Sequence, residues 1–416
     1  MSKLEELIKT LCPDGVEYKT LGDICNKVFA GGTPTSTNNS YYDGDIPWLR
    51  SGEIDFKPIY DAEIKITEEG YNNSSAKWIK EKSVLMAMTG ATVARVGYNE
   101  ISLTANQSVC ALEVKDNINY KFLYYYLANE YNNIKSMGQG ALTSLNIARI
   151  KTITVPVPPM EAQGEIVRIL DNFTELTAEL TAELTARKKQ YEYYLNTYFG
   201  NNLEETKTIC TNKNIPMKRL SELGTLQRGK RFVKADSVEQ GFPCIHYGEL
   251  YTHYGVWANE AKSFLRPEQV LKLRTASKGD VVIVGAGEND IDIGVGVAWY
   301  GESDVAVHDA CYTFKHNLNP KFISYYLRSR SYHLQIKKYV STGKICAISG
   351  EGIGQACVPV YSLEEQERIV SILDRFDALC NDISIGLPAE IEARKKQYEY
   401  YMDKLLTFKS KNSEVC

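Results

Sequence analysis

The sequence predicts an α+β protein: two tandem globular α/β domains, each followed by a long helical segment, in a duplicated, pseudo-twofold arrangement. Three observations predict it. The nonapeptide ARKKQYEYY occurs at 186–194 and again at 393–401. Longer stretches match around it: VPVPPMEAQGEIVRILDNF at 155–173 with VPVYSLEEQERIVSILDRF at 358–376, KFLYYYL at 121–127 with KFISYYL at 321–327, and PWLRSGEI at 47–54 with PCIHYGEL at 243–250. The order is therefore variable, similar, variable, similar. A period of about 200 residues means duplicated domains, since solenoid repeats recur every 20–50 or so.

Each element follows from local pattern. The variable regions, about 16–154 and 215–357, are rich in Gly, Asn and short apolar runs such as 84–88 and 280–284, which are strand-and-turn signals. A helix is expected at 119–129 and its counterpart at 320–329. Residues 161–199 contain no Pro and place Ile166, Leu170, Phe173, Leu176, Leu180 and Leu184 at three- and four-residue steps, so they read as one helix of about 58 Å. Gly200 and two asparagines end it. Inside it lies TELTAELTAELTA at 174–186, a four-residue repeat whose leucine stripe drifts by about 40° per unit and which adds about 6 Å each time. The second copy is four residues longer between its Phe and Arg and carries Gly386 and Pro388, which break the helix and restart it. The resulting division is 1–154 and 215–357 globular, 155–200 and 358–408 helical, 201–214 a linker, and 409–416 a flexible tail.

Composition bounds the rest. The 416 residues are 44% hydrophobic and 24% charged, ordinary for a globular protein. No apolar run reaches about 18 residues, so no membrane span is expected. Ten cysteines without a CxxC pair, and a polar N-terminus, favour reduced thiols and a cytoplasmic location. The net charge of −4 argues against a strongly basic, non-specific nucleic-acid binder but permits local basic faces. Most of the 28 tyrosines are expected to pack in helical runs.

Catalytic motifs are not found. GTLQRGKR at 224–231 imitates a phosphate loop, but Arg231 stands where the hydroxyl must be. The same stretch gathers Lys218, Arg219, Arg228, Lys230, Arg231 and Lys234 against one nearby acid, Glu222, which suits phosphate contacts. No Asn/Asp-Pro-Pro-aromatic methyltransferase tetrapeptide and no HExxH pair occur. The glycine clusters at 285–287 and 350–354 read as tight turns. The identical nonapeptides suggest that both copies meet the same kind of surface, either each other in a coiled coil or two identical partners.

Taken together, the tetrapeptide repeat, the paired RKKQYEYY segments, the PWLRSGEI-like segment and the two diverged domains resemble the specificity subunit of type I restriction–modification systems over essentially the whole chain. The resemblance implies two target-recognition domains, each reading half of a split DNA sequence. It implies two long antiparallel helices that set the gap between them. It also implies two partner modification subunits carrying S-adenosylmethionine that methylate adenine, and restriction subunits using ATP and Mg, with no cofactor on this chain. A methylation-only system and a two-domain scaffold that does not read DNA are the alternatives.

Major-groove reading needs polar side chains on loops. The candidates are Thr33 and Thr35 in loop 31–37, Arg50 and Ser51, and Gln139 to Ser144 in the first domain. In the second they are Arg228, Lys230 and Arg231, then His246 and Tyr247, then Lys344 in loop 342–344. Because Arg50 stands opposite His246 in matched segments, the two half-sites should differ. Candidate partner contacts are Arg187, Lys188, Gln190, Tyr191 and Tyr194, with their equivalents Arg394, Lys395, Gln397, Tyr398 and Tyr401.

Overall fold

The structure, a computed structural model, describes residues 10–138, 144–382 and 384–411. It divides into two units, and neither is a continuous stretch of the domain scheme above. The first comprises 1–179 together with 391–416, and the second comprises 180–390.

Each unit is built on a five-stranded sheet of the same topology. In the first unit the order is Cys25–Ala30, Val109–Val114, Val84–Ala87, Val96–Asn99 and Pro58–Ile59. In the second it is Gly224–Arg228, Cys311–His316, Val281–Val284, Gly296–Trp299 and Trp257–Ala258. All pairs are antiparallel except the last in each sheet. The central strands Val84–Ala87 and Val281–Val284 are buried along their whole length, which is why they read as unbroken apolar runs. A smaller sheet accompanies each: three strands around Tyr42–Leu49 in the first unit, five around Phe242–Ile245 in the second.

A capped helix covers each main sheet. Asn119 accepts from the N–H groups of Lys121 and Phe122 and opens Tyr120–Asn129, while Asn319 accepts from Phe322 N–H and opens Pro320–Tyr326, with Pro320 in the first turn. Tyr124, Tyr125 and Tyr126 are buried, as are Tyr325 and Tyr326, so the tyrosine runs are core.

The central helix is continuous over Met160–Phe199. It ends where Gly200 turns to φ +75°, a conformation that favours glycine; an added Cβ there would lie 2.7 Å from Thr206 N. The second copy is interrupted as expected, into Leu363–Asn381 and Leu387–Leu406, with Pro388 in the first turn of the latter.

Two expectations need correction. Residues 201–214 are not an open linker: Leu203–Lys213 is a helix, capped by Asn202, whose side chain accepts from Glu205 N–H. Its buried Thr206 hydroxyl lies 2.7 Å from that of Ser331 and bonds the Phe199 carbonyl at 2.5 Å, and Cys210 is buried beside them. Tertiary packing stabilises this short polar helix where propensity alone would not. Nor are residues 409–411 a free tail. Val16 N–H donates to Lys409 O at 2.8 Å, and Lys411 N–H to Val16 O at 3.0 Å, tying the C-terminal end into the first unit.

Candidate nucleic-acid interface

Both units carry the same loop framework at the end of the main sheet. In the first, the chain leaves strand Cys25–Ala30 through Gly31, whose N–H donates to Val109 O at 3.1 Å, and Gly32, whose N–H donates to Ala105 O at 2.8 Å. In the second it leaves Gly224–Arg228 through Gly229 to Cys311 O at 2.9 Å and Lys230 to Val307 O at 3.0 Å. A Cβ on Gly31 or Gly229 would overlap a backbone carbonyl, that of Ala105 or His308, so the close approach requires glycine. Because Gly224–Arg228 is a strand followed by this turn and not by a helix, the GTLQRGKR stretch does not form a phosphate loop.

A second loop enters from the smaller sheet. Arg50 N–H donates to Glu53 Oε1 at 3.0 Å, and His246 N–H to Glu249 Oε2 at 2.9 Å. A third loop lies between them. Asn106 N–H donates to Leu49 O at 2.9 Å and His308 N–H to Ile245 O at 3.4 Å. Ser108 N–H donates to Asn106 Oδ1 at 3.1 Å, and Ala310 N–H to His308 Nδ1, also at 3.1 Å. The backbone scaffold is thus the same bond by bond while the side chains differ.

In the first unit the Thr33 hydroxyl bonds the side-chain oxygen of Gln107, and Thr35 is exposed. Arg50 is drawn between two carboxylates, Glu53 at 3.5 Å and Glu63 closer still, beside half-buried Ser51. Ser144 leads into Leu145, whose N–H donates to Met88 O, and Gln139 lies outside the described residues.

In the second unit Arg228, Lys230 and Arg231 are exposed. The Arg228 guanidinium donates to Asp309 O at 2.7 Å, and its own carbonyl accepts from Arg274 at 2.6 Å. His246, Tyr247 and Phe232 surround His308, with ring centroids 5.6, 5.8 and 5.0 Å away. Burial holds His308 below the ordinary histidine range, with His246 and Arg231 pushing the same way against Asp309 and the Phe232 carbonyl. Because Nδ1 accepts from Ala310, the neutral ring carries its proton on Nε2, which faces Phe232 O at 3.1 Å. Lys344 sits on an exposed loop closed by Ser341 and Ala347, which exchange N–H···O bonds of 2.8 and 3.1 Å. A cavity of about 390 Å³ runs between that loop and Arg228 and Asp309. Arg228, Lys230, Arg231 and Tyr247 therefore lie on one side of this unit, with His246 half-buried beside them and its Nε2 enclosed. Lys218 and Arg219, on strand Met217–Arg219, lie at the far end of the Gly224–Arg228 strand from them.

Sequence reading missed Asn106, Gln107, His308, Asp309 and Arg274. A lone polar residue in a loop gives no signal, and the paired loops become visible only through their matched hydrogen bonds.

The nonapeptides have an internal task. Tyr194 faces Phe376 at 5.1 Å and Tyr191 faces Tyr325 at 6.5 Å, all within the second unit. In the first unit Tyr401 stacks on Phe173 at 5.2 Å, and burial pushes the phenol of Tyr398 up to about 12. The surfaces they meet are themselves repeated. The Asp171 carboxylate takes Tyr125 O–H at 2.6 Å and Lys121 at 2.8 Å, and Asp374 takes Tyr325 at 2.7 Å and Lys321 at 2.8 Å. Arg187 pairs with Glu183 at 3.2 Å and bonds Gln190, and Arg394 bonds Gln397. Lys188 and Lys395 are exposed, as are two residues that sequence reading passed over: Tyr193, 66% exposed, and Tyr400, 61%.

Comparison with known proteins bears on this geometry. The family model described as "Type I restriction modification DNA specificity domain" matches twice, at residues 13–187 and 212–393. A putative type I restriction enzyme specificity subunit of Haemophilus influenzae is 31% identical, covering 97% of this chain and 98% of the relative. The EcoR124I/EcoR124II specificity subunit of Escherichia coli is also 31% identical, over 69% of this chain and 70% of its own length. Among solved structures, a type I restriction–modification S subunit from M. genitalium shares the fold with a TM-score of 0.55 at 15% identity, covering 94% of this chain and 96% of that one.

Proposed function

The chain belongs to the family of type I restriction–modification specificity subunits, and from that premise we propose that it reads an asymmetric, bipartite DNA target and holds two adenine-methylating modification subunits. The observation that carries the proposal is the matched pair of loop frameworks: one backbone scaffold, built twice, carries Thr33, Ser51 and Gln107 in one unit and Arg231, Tyr247 and Asp309 in the other. Equal scaffolds with unequal side chains are what two different half-sites require.

In this reading the chain itself performs no chemistry. S-adenosylmethionine sits on the modification subunits, ATP and Mg on restriction subunits that join the complex, and the assembly works in the cytoplasm. The basic residues around Arg228 supply phosphate contacts that hold register, and the loop residues supply sequence. The repeated Tyr and Lys positions of the two nonapeptides that point outward supply two equivalent docking points for the modification subunits.

Mapping methylated adenines across the native genome, with and without this gene, tests the proposal. The expected result is one split motif with two unlike halves that vanishes with the gene. A methylome that does not change would overturn it.

A further inference from the structure

Within the interface, two of the arginines are already engaged by protein oxygens. Arg50 is held by Glu53 and Glu63, and Arg228 by the carbonyl of Asp309. Both therefore brace the scaffold or meet phosphate, which is common to every sequence. The loops 106–108 and 308–310 differ in this respect. Their first residues, Asn106 and His308, perform the same structural task, accepting the N–H two residues on at the same 3.1 Å. The residue between is released from that duty. Gln107 is exposed, and Asp309 has a side chain 35% exposed beside Arg228, Lys230 and Arg231.

We propose that Gln107 and Asp309 are the paired specificity-determining residues, Gln107 selecting adenine in one half-site and Asp309 selecting cytosine in the other. The inference rests on the DNA-reading assignment above and adds the bases. The Gln107 oxygen takes the Thr33 hydroxyl, which orients the amide and leaves that oxygen a second lone pair and the nitrogen its two donors. An acceptor beside a donor matches the N6 amine and N7 of adenine on its major-groove edge. Asp309 offers acceptors only. One oxygen lies 3.2 Å from His308 Nδ1, which in the neutral ring bears no proton, so neither oxygen accepts a hydrogen bond from a described residue. A carboxylate works against phosphate attraction, so its place within a basic cluster favours a base edge with a donor and no adjacent acceptor. Cytosine N4 fits; adenine adds the repelling N7, and guanine presents only acceptors.

The test uses the specificity chain assembled with its modification subunits, selecting bound duplexes from libraries randomised in both half-sites. The variants are Gln107→Asp and Asp309→Gln, with the near-isosteric Gln107→Glu and Asp309→Asn alongside. Gln107→Asp should shift one position of one half-site from adenine toward cytosine, and Asp309→Gln should do the reverse in the other. Each change in discrimination should be roughly ten- to a hundredfold. The untouched half-site reports that the variant is folded, and for a variant that loses both, the isosteric partner decides. Unchanged preference at every position, or weakening uniform across sequences, overturns the proposal. A wild-type complex with no split preference instead brings down the DNA-reading assignment itself.

Discussion

Tyr401, near the end of the chain, stacks on Phe173 of the central helix with ring centroids 5.2 Å apart and planes 27° from parallel. Its repeat equivalent, Tyr194, meets Phe376 at 5.1 Å. Each nonapeptide thus packs on the helix of the other repeat, and the surfaces they meet are alike. Tyr401→Ala should destabilise the first unit by about 2 kcal/mol, less than for a fully buried ring. A double-mutant cycle with Phe173→Ala in denaturant unfolding should give a coupling of about 0.5–1.5 kcal/mol. Additive effects would mean that the stacking contributes nothing.

Deleting residues 391–416 should open the first unit and spare the second, because those residues belong to the first alone. Hydrogen exchange is the measurement. Protection should fall across Val84–Ala87 and persist across Val281–Val284. Equal loss in both strands would contradict the division.

His316 gives a pH dependence with a definite sign. Burial lowers its pKa from 6.5 to about 4; Nδ1 accepts from Leu318 N–H at 3.1 Å, and Nε2 is buried without a partner among the described residues. The unfolded chain then binds more protons between these values, so this stability is complete above pH 6.5 and is lost as pH falls toward 4. It amounts to roughly 3 kcal/mol at most. His316→Asn keeps an acceptor for Leu318 and should flatten the slope of stability against pH in that window, read by urea unfolding at several pH values.

Removing residues 177–180, one tetrapeptide of the central helix, shortens it by about 6 Å without touching either loop framework. Methylome sequencing should show both half-sites intact and the unread gap changed. An altered half-site at an unchanged gap would count against the helix as spacer.

Tyr193 and Tyr400 are the most exposed tyrosines of the nonapeptides. Tyr193→Ala and Tyr400→Ala should each leave stability within about 0.5 kcal/mol while weakening capture of modification subunits, and the double variant should weaken it most. Size-exclusion of the mixed subunits checks this, and normal assembly by the double variant would refute it.

The sequence made much of the fold legible, because the repeat aligned elements that local pattern had already suggested. The helices capped by Asn119 and Asn319, the continuous Met160–Phe199 and the break at Gly386 and Pro388 were all readable from short-range chemistry. The helix Leu203–Lys213 was not, since it is held by Thr206 and Ser331, far apart in sequence. At the interface, composition pointed to Arg228–Arg231 but not to Gln107 or Asp309. Tyr191 and Tyr398 were noticed for being repeated, and repetition cannot distinguish a ring that packs inward from one that points out.

The pairing of Val16 with Lys409 and Lys411, at 2.8 and 3.0 Å, has a consequence for synthesis. A body made from residues on both sides of the second unit cannot close until residues 391–411 have been synthesised. At about 5–20 residues per second, the N-terminal portion waits roughly 10–50 s for its C-terminal helix. The uninterrupted unit behind it can finish folding in that interval. Until then, Leu170 and Phe173 present an apolar face in need of cover, so the growing chain is most vulnerable in the part made first.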